Sequence, residues 1–224
     1  MDALASARES LHAGRLMEAV DEARELLATE PDNVEAMYLE ALALSRLGAG
    51  TVAADILRGL LGREDVPLPV RADALALRGR LLKDRAAEGG AALPSLAADA
   101  SALYEEALQL APSPFFAVNA ATLRRLAGDR GRSEALAREA LRLAASPGAD
   151  DDHWRSATQG ECSVLLGDID AARRHYRDAH SRAARRHGDL ASMRRQLRLL
   201  ARAIPGAADM LAELPVPKVV AFTG

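Results

Sequence analysis

The residues from Ser156 to Cys162 place two hydroxyls, a carboxylate and the single thiol of the chain close together in sequence. Acyl transfer needs a nucleophile and a base whose heads meet, with a third group orienting the base. Ser156, Thr158, Glu161 and Cys162 instead fall along one helical stretch, with no glycine elbow and no partner histidine nearby. They make no catalytic set, and Cys162 reads as a small buried hydrophobe. His153, His175, His180 and His187 cluster in the same part of the chain. Metal-binding histidines on a helix usually stand four residues apart. The spacings of five and seven among the last three let two of them face similar directions, but no cysteine or acid completes a set. A solvated surface accounts for them. Residues 1–217 contain neither G-x-x-x-x-G-K-[ST] nor G-x-G-x-x-G. No metal, cofactor or enzymatic activity is expected.

Charge narrows the partners. The net charge is −3, yet residues 1–40 carry ten acids against three arginines, and residues 168–204 carry ten arginines against four aspartates. The basic surface centres on Arg173, Arg174, Arg177, Arg185 and Arg186. Its aromatic interleaving stops at Tyr176, which argues against stacking on single-stranded nucleic acid. An acidic protein surface, or solvent, suits it better. An acidic N-terminal end and a basic C-terminal end also permit a homo-oligomer built end to end. Arginine outnumbers lysine by 27 to 2, which reads as a GC-rich, bacterial coding bias. One cysteine excludes an intramolecular disulfide and fits a reducing cytoplasm. Met1 leads into an acidic amphipathic helix with no secretory pattern, and no apolar run approaches the roughly 20 residues that span a bilayer.

Helices must position these groups. The chain is 49% hydrophobic and only 3% aromatic, with alanine and leucine carrying the apolar content. That composition suits closely packed helices and suits sheets poorly. Gly14 is followed by Ala19, and 34 residues later Gly48 is followed by Ala53. The clearest copy runs Leu165-Leu-Gly-Asp-Ile-Asp-Ala-Ala-Arg-Arg-His-Tyr-Arg-Asp-Ala179, with Gly167 at the turn and Tyr176 between Ala172 and Ala179. Glycine ends a first helix, alanine lets a second approach closely, and a bulky residue fills the groove between pairs. Pro31 and Pro112 stop second helices. These residues resemble the 34-residue tetratricopeptide repeat.

Five helix pairs follow, near 2–13 and 16–29, 34–47 and 50–62, 69–87 and 95–111, 114–127 and 131–145, and 151–166 and 169–187. Residues 88–94 form an insertion in the third pair, where Ala100, Tyr104 and Ala107 restore register. A helix near 189–203 caps the stack. The expected fold is all-α, a right-handed superhelical solenoid over residues 1–205. Residues 206–217 are expected as a linker. Residues 218–224, the one window of strand character, are expected to begin a downstream α/β domain or to pack on the last helix.

Pro114-Phe-Phe-Ala-Val-Asn-Ala-Ala-Thr-Leu123 and Asp152-His-Trp-Arg-Ser-Ala-Thr-Gln-Gly-Glu161, each leading to Gly-Asp, are more specific. Over roughly residues 30–205 the chain is similar to the tetratricopeptide region of apoptosis signal-regulating kinases and bacterial multidomain signalling proteins, often labelled a TRAF-binding domain. The resemblance implies a regulatory, protein-binding module placed before an effector domain, and the tail from Val219 is similar to the start of a nucleotide-binding-like domain in bacterial members. The implied partner is a protein or peptide, or the protein's own downstream domain; the TRAF ligand itself is not carried over.

Repeat geometry puts Tyr38, Leu42, Phe115, Asn119, Thr122, Trp154, Thr158 and Glu161 on the concave side of the first helices. Trp154 reads either as an interface anchor or as packing between pairs. Asn119 reads either as a grip on a peptide backbone or as a bond to the adjacent pair. The lysine-and-asparagine carboxylate clamp of some tetratricopeptide domains is absent.

Overall fold

The computed structural model describes residues 3–87, 93–145, 152–183 and 186–216. The described elements are helical throughout: α1 (Ala3–His12), α2 (Leu16–Thr29), α3 (Val34–Arg46), α4 (Gly50–Leu61), α5 (Leu68–Ala87), α6 (Leu93–Leu110), α7 (Pro114–Leu126), α8 (Arg130–Ala144), α9 (Asp152–Leu166), α10 (Ile169–Ala183), α11 (His187–Leu200) and a 3-10 helix, Pro205–Glu213. α1 packs with α2, α3 with α4, α7 with α8 and α9 with α10, the pairing the repeat spacing predicts for them.

One local device builds four of the turns. Gly14, Gly48, Gly128 and Gly167 all take positive φ, between 77° and 90°. The amide after each glycine returns to a carbonyl five residues back, as in Asp129 N to Arg124 O and Asp168 N to Ser163 O, both 2.9 Å. This closing pattern satisfies the carbonyls that a helix end leaves over. In the last two turns the next residue also starts the following helix. Asp129 accepts from the Arg132 amide at 3.0 Å and Asp168 from the Ala171 amide at 2.9 Å. The Gly-Asp dipeptide is therefore a stop and a start in two residues. Asn33 and Ser113 cap α3 and α7 in the same way.

The chain divides into two compact units. Unit 1 comprises residues 1–85 and 102–111, and unit 2 comprises residues 86–101 and 112–224. In unit 1, α1 to α4 pack in order around Leu11, Val20, Leu39, Leu44, Leu57, Leu60 and Leu77, and Ala19 and Ala53 are fully buried. Tyr104, from the C-terminal half of α6, is also fully buried. In unit 2, α7 pairs with α8 and α9 with α10, and α8 packs on α9. Leu123, Val164, Tyr176, Leu190, Leu197 and Leu200 fill its interior, where Ala172 and Ala179 have no exposed surface. Alanine at these contacts is what allows neighbouring axes to approach closely.

Residues 205–213, largely within the stretch expected as linker, form the 3-10 helix, which packs on α10 and α11. Ala207, Met210 and Leu214 are fully buried, and Arg194 of α11 donates to the carbonyls of Leu211 and Leu214 at 2.8 and 2.6 Å. The strand expected at 218–224 and Arg185 lie outside the described residues.

Candidate functional site

Six of the eight residues expected on the binding face stand in register on two helices of unit 2. Phe115, Asn119 and Thr122 follow one stripe of α7, and Trp154, Thr158 and Glu161 follow the same stripe of α9. Residues four and seven apart share a helix face. Each α9 residue lies 39 positions after its α7 counterpart, the separation of Gly128 and Gly167. Since α7 packs directly on α9, the six form three rungs.

The rungs differ sharply in depth. At the outer rung Phe115 is 48% exposed, and Trp154 is half-buried with its ring 5.3 Å from that of His153. In the middle rung Asn119 and Thr158 are buried, and Asn119 donates to the Phe115 carbonyl of its own helix at 2.8 Å. At the inner rung the Thr122 hydroxyl donates to Glu161 Oε1. Gln196 of α11 donates to the same oxygen at 2.7 Å. Three successive first helices are thereby tied through one buried carboxylate. Such a network fixes the angles between helices because an unmet partner inside costs more than the bond gains.

Other polar groups of α9 are similarly engaged. His153, read from the sequence as part of a solvated cluster, is buried, with Nε2 3.1 Å from Asp189 Oδ2 of α11. The correction follows from its place on the α9 face that meets α11. His175 and His180 are half-buried and His187 is exposed. Ser156 donates to Asp178 of α10. Burial, and then the Glu161 carboxylate, push the Cys162 thiol well above its ordinary range, so it is a poor nucleophile. Among the described residues, no group of three or more His, Cys, Asp or Glu is placed to hold a metal ion.

On α10, Arg173 and Arg174 are exposed, and Arg177 is bridged to Glu213 of the 3-10 helix at 2.7 Å. Arg186 is exposed. The basic surface is thus partly neutralised by the segment that follows it.

Unit 1 holds the other two residues. Tyr38 and Leu42 are half-buried on α3, one turn apart. Burial, and then the nearby Asp73, raise the Tyr38 hydroxyl far above the ordinary tyrosine value, so it stays a hydrogen-bond donor. Sequence reasoning missed a groove in this unit, about 460 Å³, lined by Leu27, Pro31, Met37, Glu40, Asp55, Ile56, Gly59, Leu60 and Arg63. Its charges are largely paired: Arg24 with Glu40 at 2.7 Å, Arg58 with Asp55 at 2.8 Å, and Arg63 with Asp32 at 2.7 Å. The groove depends on how α2, α3 and α4 splay, and no residue pattern announces that.

Comparison with known proteins agrees with this geometry. Residues 15–124 match a family model described as Tetratricopeptide Repeats-Sensor. No curated protein matches the chain. Among solved structures, a thermophilic TPR protein of Thermus thermophilus is similar, with a TM-score of 0.65 and 19% sequence identity. The likeness covers 91% of this chain and 98% of that one, and at this identity it speaks to the fold. Glycine-closed turns and alanine-lined helix pairs give the chain a tetratricopeptide-type fold, and over residues 15–124 it is similar to the sensor-type repeats.

Proposed function

We propose that this chain is a non-catalytic interaction and regulatory module that couples the binding of a protein or peptide partner to a downstream effector domain. Tetratricopeptide folds generally mediate protein–protein interaction, and the sensor-type description of the similar family supports a regulatory use. The observation that carries the reading is the outer rung of unit 2. A phenylalanine left 48% exposed stands in register with the sole tryptophan, above two rungs that are already sealed. Aromatic residues at the mouth of a closed stripe supply contact area at low entropic cost, which is why they anchor interfaces.

The test replaces Phe115 with Asp in the full-length protein and measures partner recovery and effector output. Recovery is expected to fall at least about tenfold, as for an interface anchor, while the melting temperature stays within about 2 °C, as for a surface change. Unchanged recovery and unchanged output would remove the reading.

A second reading, self-association, draws on the excess of acids in residues 1–40 and of arginines in residues 168–204. Light scattering at low and high salt separates it. A molar mass that falls toward the monomer as salt rises supports association through charge, and a salt-independent monomer rules it out.

A further inference from the structure

The groove of unit 1 opens between α2, α3 and α4, with a volume of about 460 Å³. Leu27 of α2, Met37 of α3 and Ile56 of α4 line it, and all three are half-buried. Leu60, at its base, has no exposed surface. The apolar side chains are thus joined to the core on one flank and left without a neighbour on the other.

Gly59 of α4 stands in the same lining. A methyl group added there meets nothing within 4 Å, so no neighbour demands a glycine. Its backbone is helical and its φ is not positive. Glycine inside a helix is disfavoured against alanine, and neither packing nor backbone geometry explains it here. Bare backbone at this point keeps the groove open to the close approach of another chain.

Charge gives the groove its sign. Glu40 is 9% exposed and is the buried charge of the lining. Arg24 takes its Oε1 at 2.7 Å from a side chain that is 55% exposed, against 11% for the acid. The carboxylate lies inside, and its arginine reaches in from solvent. Among the described residues Glu40 Oε2 accepts no hydrogen bond, and it is not sealed away. Asp55 is exposed and pairs with Arg58, which stands outside the lining. Such an exposed pair holds little free energy and yields readily to another cation. Arg63, the cation of the lining, already holds both Asp32 and Asp65. A cationic ligand suits this balance and an anionic one does not.

We propose that the groove seats a lysine of a partner segment, with an apolar neighbour laid across Leu27, Met37 and Ile56. This adds a second contact to the interaction reading above and rests on it. The methylene stem of lysine covers apolar surface while its ammonium reaches Glu40. Lysine fits better than arginine because one oxygen of Glu40 is left. A compact ammonium needs a point acceptor, whereas a guanidinium fork asks for two. Met37 adapts its unbranched side chain to the apolar neighbour.

Calorimetric titration of the full chain with an acetylated, amidated hexapeptide alternating lysine and leucine tests the assignment. The glutamate–leucine counterpart reverses the charge, and the lysine–serine counterpart removes the apolar flank. The lysine–leucine peptide is expected to bind at least about tenfold more tightly than either. Glu40→Gln, which keeps an acceptor for Arg24, is expected to weaken it about tenfold, and added salt weakens it further. Gly59→Leu fills the groove from an open position. It is expected to lower the affinity at least about tenfold while the melting temperature holds or rises, since leucine is the better helix former. The assignment is overturned if the lysine–leucine peptide binds no more tightly than its counterparts, or if Gly59→Leu binds it as the parent does. A fall of about 5 °C in Gly59→Leu also overturns it, because the position is then packed and not open. Light scattering of the same samples covers the other occupant. A dimer that Gly59→Leu turns into monomer gives the groove to a second copy and overturns the lysine assignment. Phe115→Asp is expected to bind the peptide as the parent does. If that variant loses partner recovery while the peptide fails to bind the parent, the interaction reading stands and only the lysine groove falls.

Discussion

The first helices of the two units use polar residues in opposite ways. On α7 and α9 of unit 2 the polar residues of the inner stripe are buried and bonded to one another, with Thr122 and Gln196 sharing one oxygen of Glu161. On α3 and α5 of unit 1, Arg46 and Arg80 meet with like charge and, among the described residues, no ion pair. The same repeat geometry produces both, since each arises from residues one repeat apart. A satisfied polar network inside a stack sets helix angles. Polar residues on a repeat face therefore differ in the partners they find within the chain, a shared carboxylate on one and a carbonyl and a hydroxyl on the other.

Removing the shared acceptor gives the largest test of that contrast. Glu161→Leu takes from Thr122 and Gln196 the oxygen they share, and it is expected to destabilise the chain by about 2–4 kcal/mol. Urea unfolding measures it. A neutral outcome would erase the distinction between the two faces, because the inner rung would then bear no part of the architecture.

A pair of glycines sharpens the comparison at the next scale. A methyl group added at Gly160 would meet the buried Tyr176 ring at 3.0 Å, whereas one at Gly59, in the unit 1 groove, meets nothing within 4 Å. Alanine favours a helix over glycine by about 1 kcal/mol, but overpacking a core costs about 1–3 kcal/mol. Gly160→Ala is expected to destabilise by about 1 kcal/mol net, while Gly59→Ala stabilises by up to about 1 kcal/mol. Thermal melts of the two variants read opposite signs if unit 2 is packed tight where unit 1 leaves space. Equal signs would contradict that.

The smallest effect is in acid. Asp178 is held below the ordinary carboxylate range, chiefly by the hydrogen bond from Ser156 and further by Arg182, against the opposing influence of burial. A depressed carboxyl contributes stability above its unfolded pKa and loses it as pH falls through the folded value. Ser156→Ala should therefore lower stability at neutral pH, and the gap from the parent should close as the medium is acidified below the ordinary aspartate range. Denaturation midpoints across pH check this, and a gap that stays constant into acid shows that the Asp178 bond plays no part.

Much of the fold was legible in the residues. The four glycines that end first helices, the fully buried Ala19, Ala53, Ala172 and Ala179, and Tyr104 and Tyr176 between pairs stand where periodicity placed them. The eight binding-face candidates were chosen by register alone, and register orders residues around a helix without fixing their depth. Hence Phe115 is exposed while Thr122 and Glu161, on the same stripe system, are interior. His153 was missed for the same reason: its burial depends on α11, whose Asp189 lies 36 residues away, crossing that part of α9. The 3-10 helix at Pro205–Glu213 escaped because Met210 and Leu214 are too sparse to show a period and become core only by packing on α10 and α11.

Sequence by itself determined the helix pairs, their turns and their small contact residues, because those rest on local backbone geometry and a fixed period. Only tertiary structure decided which polar side chains find partners, since that depends on which helix face crosses which neighbour and how far apart the axes lie. The Glu161 network and the Arg46–Arg80 pair look alike as letters on a helical wheel. They differ because one site receives donors from two other helices, and the other receives a second positive charge.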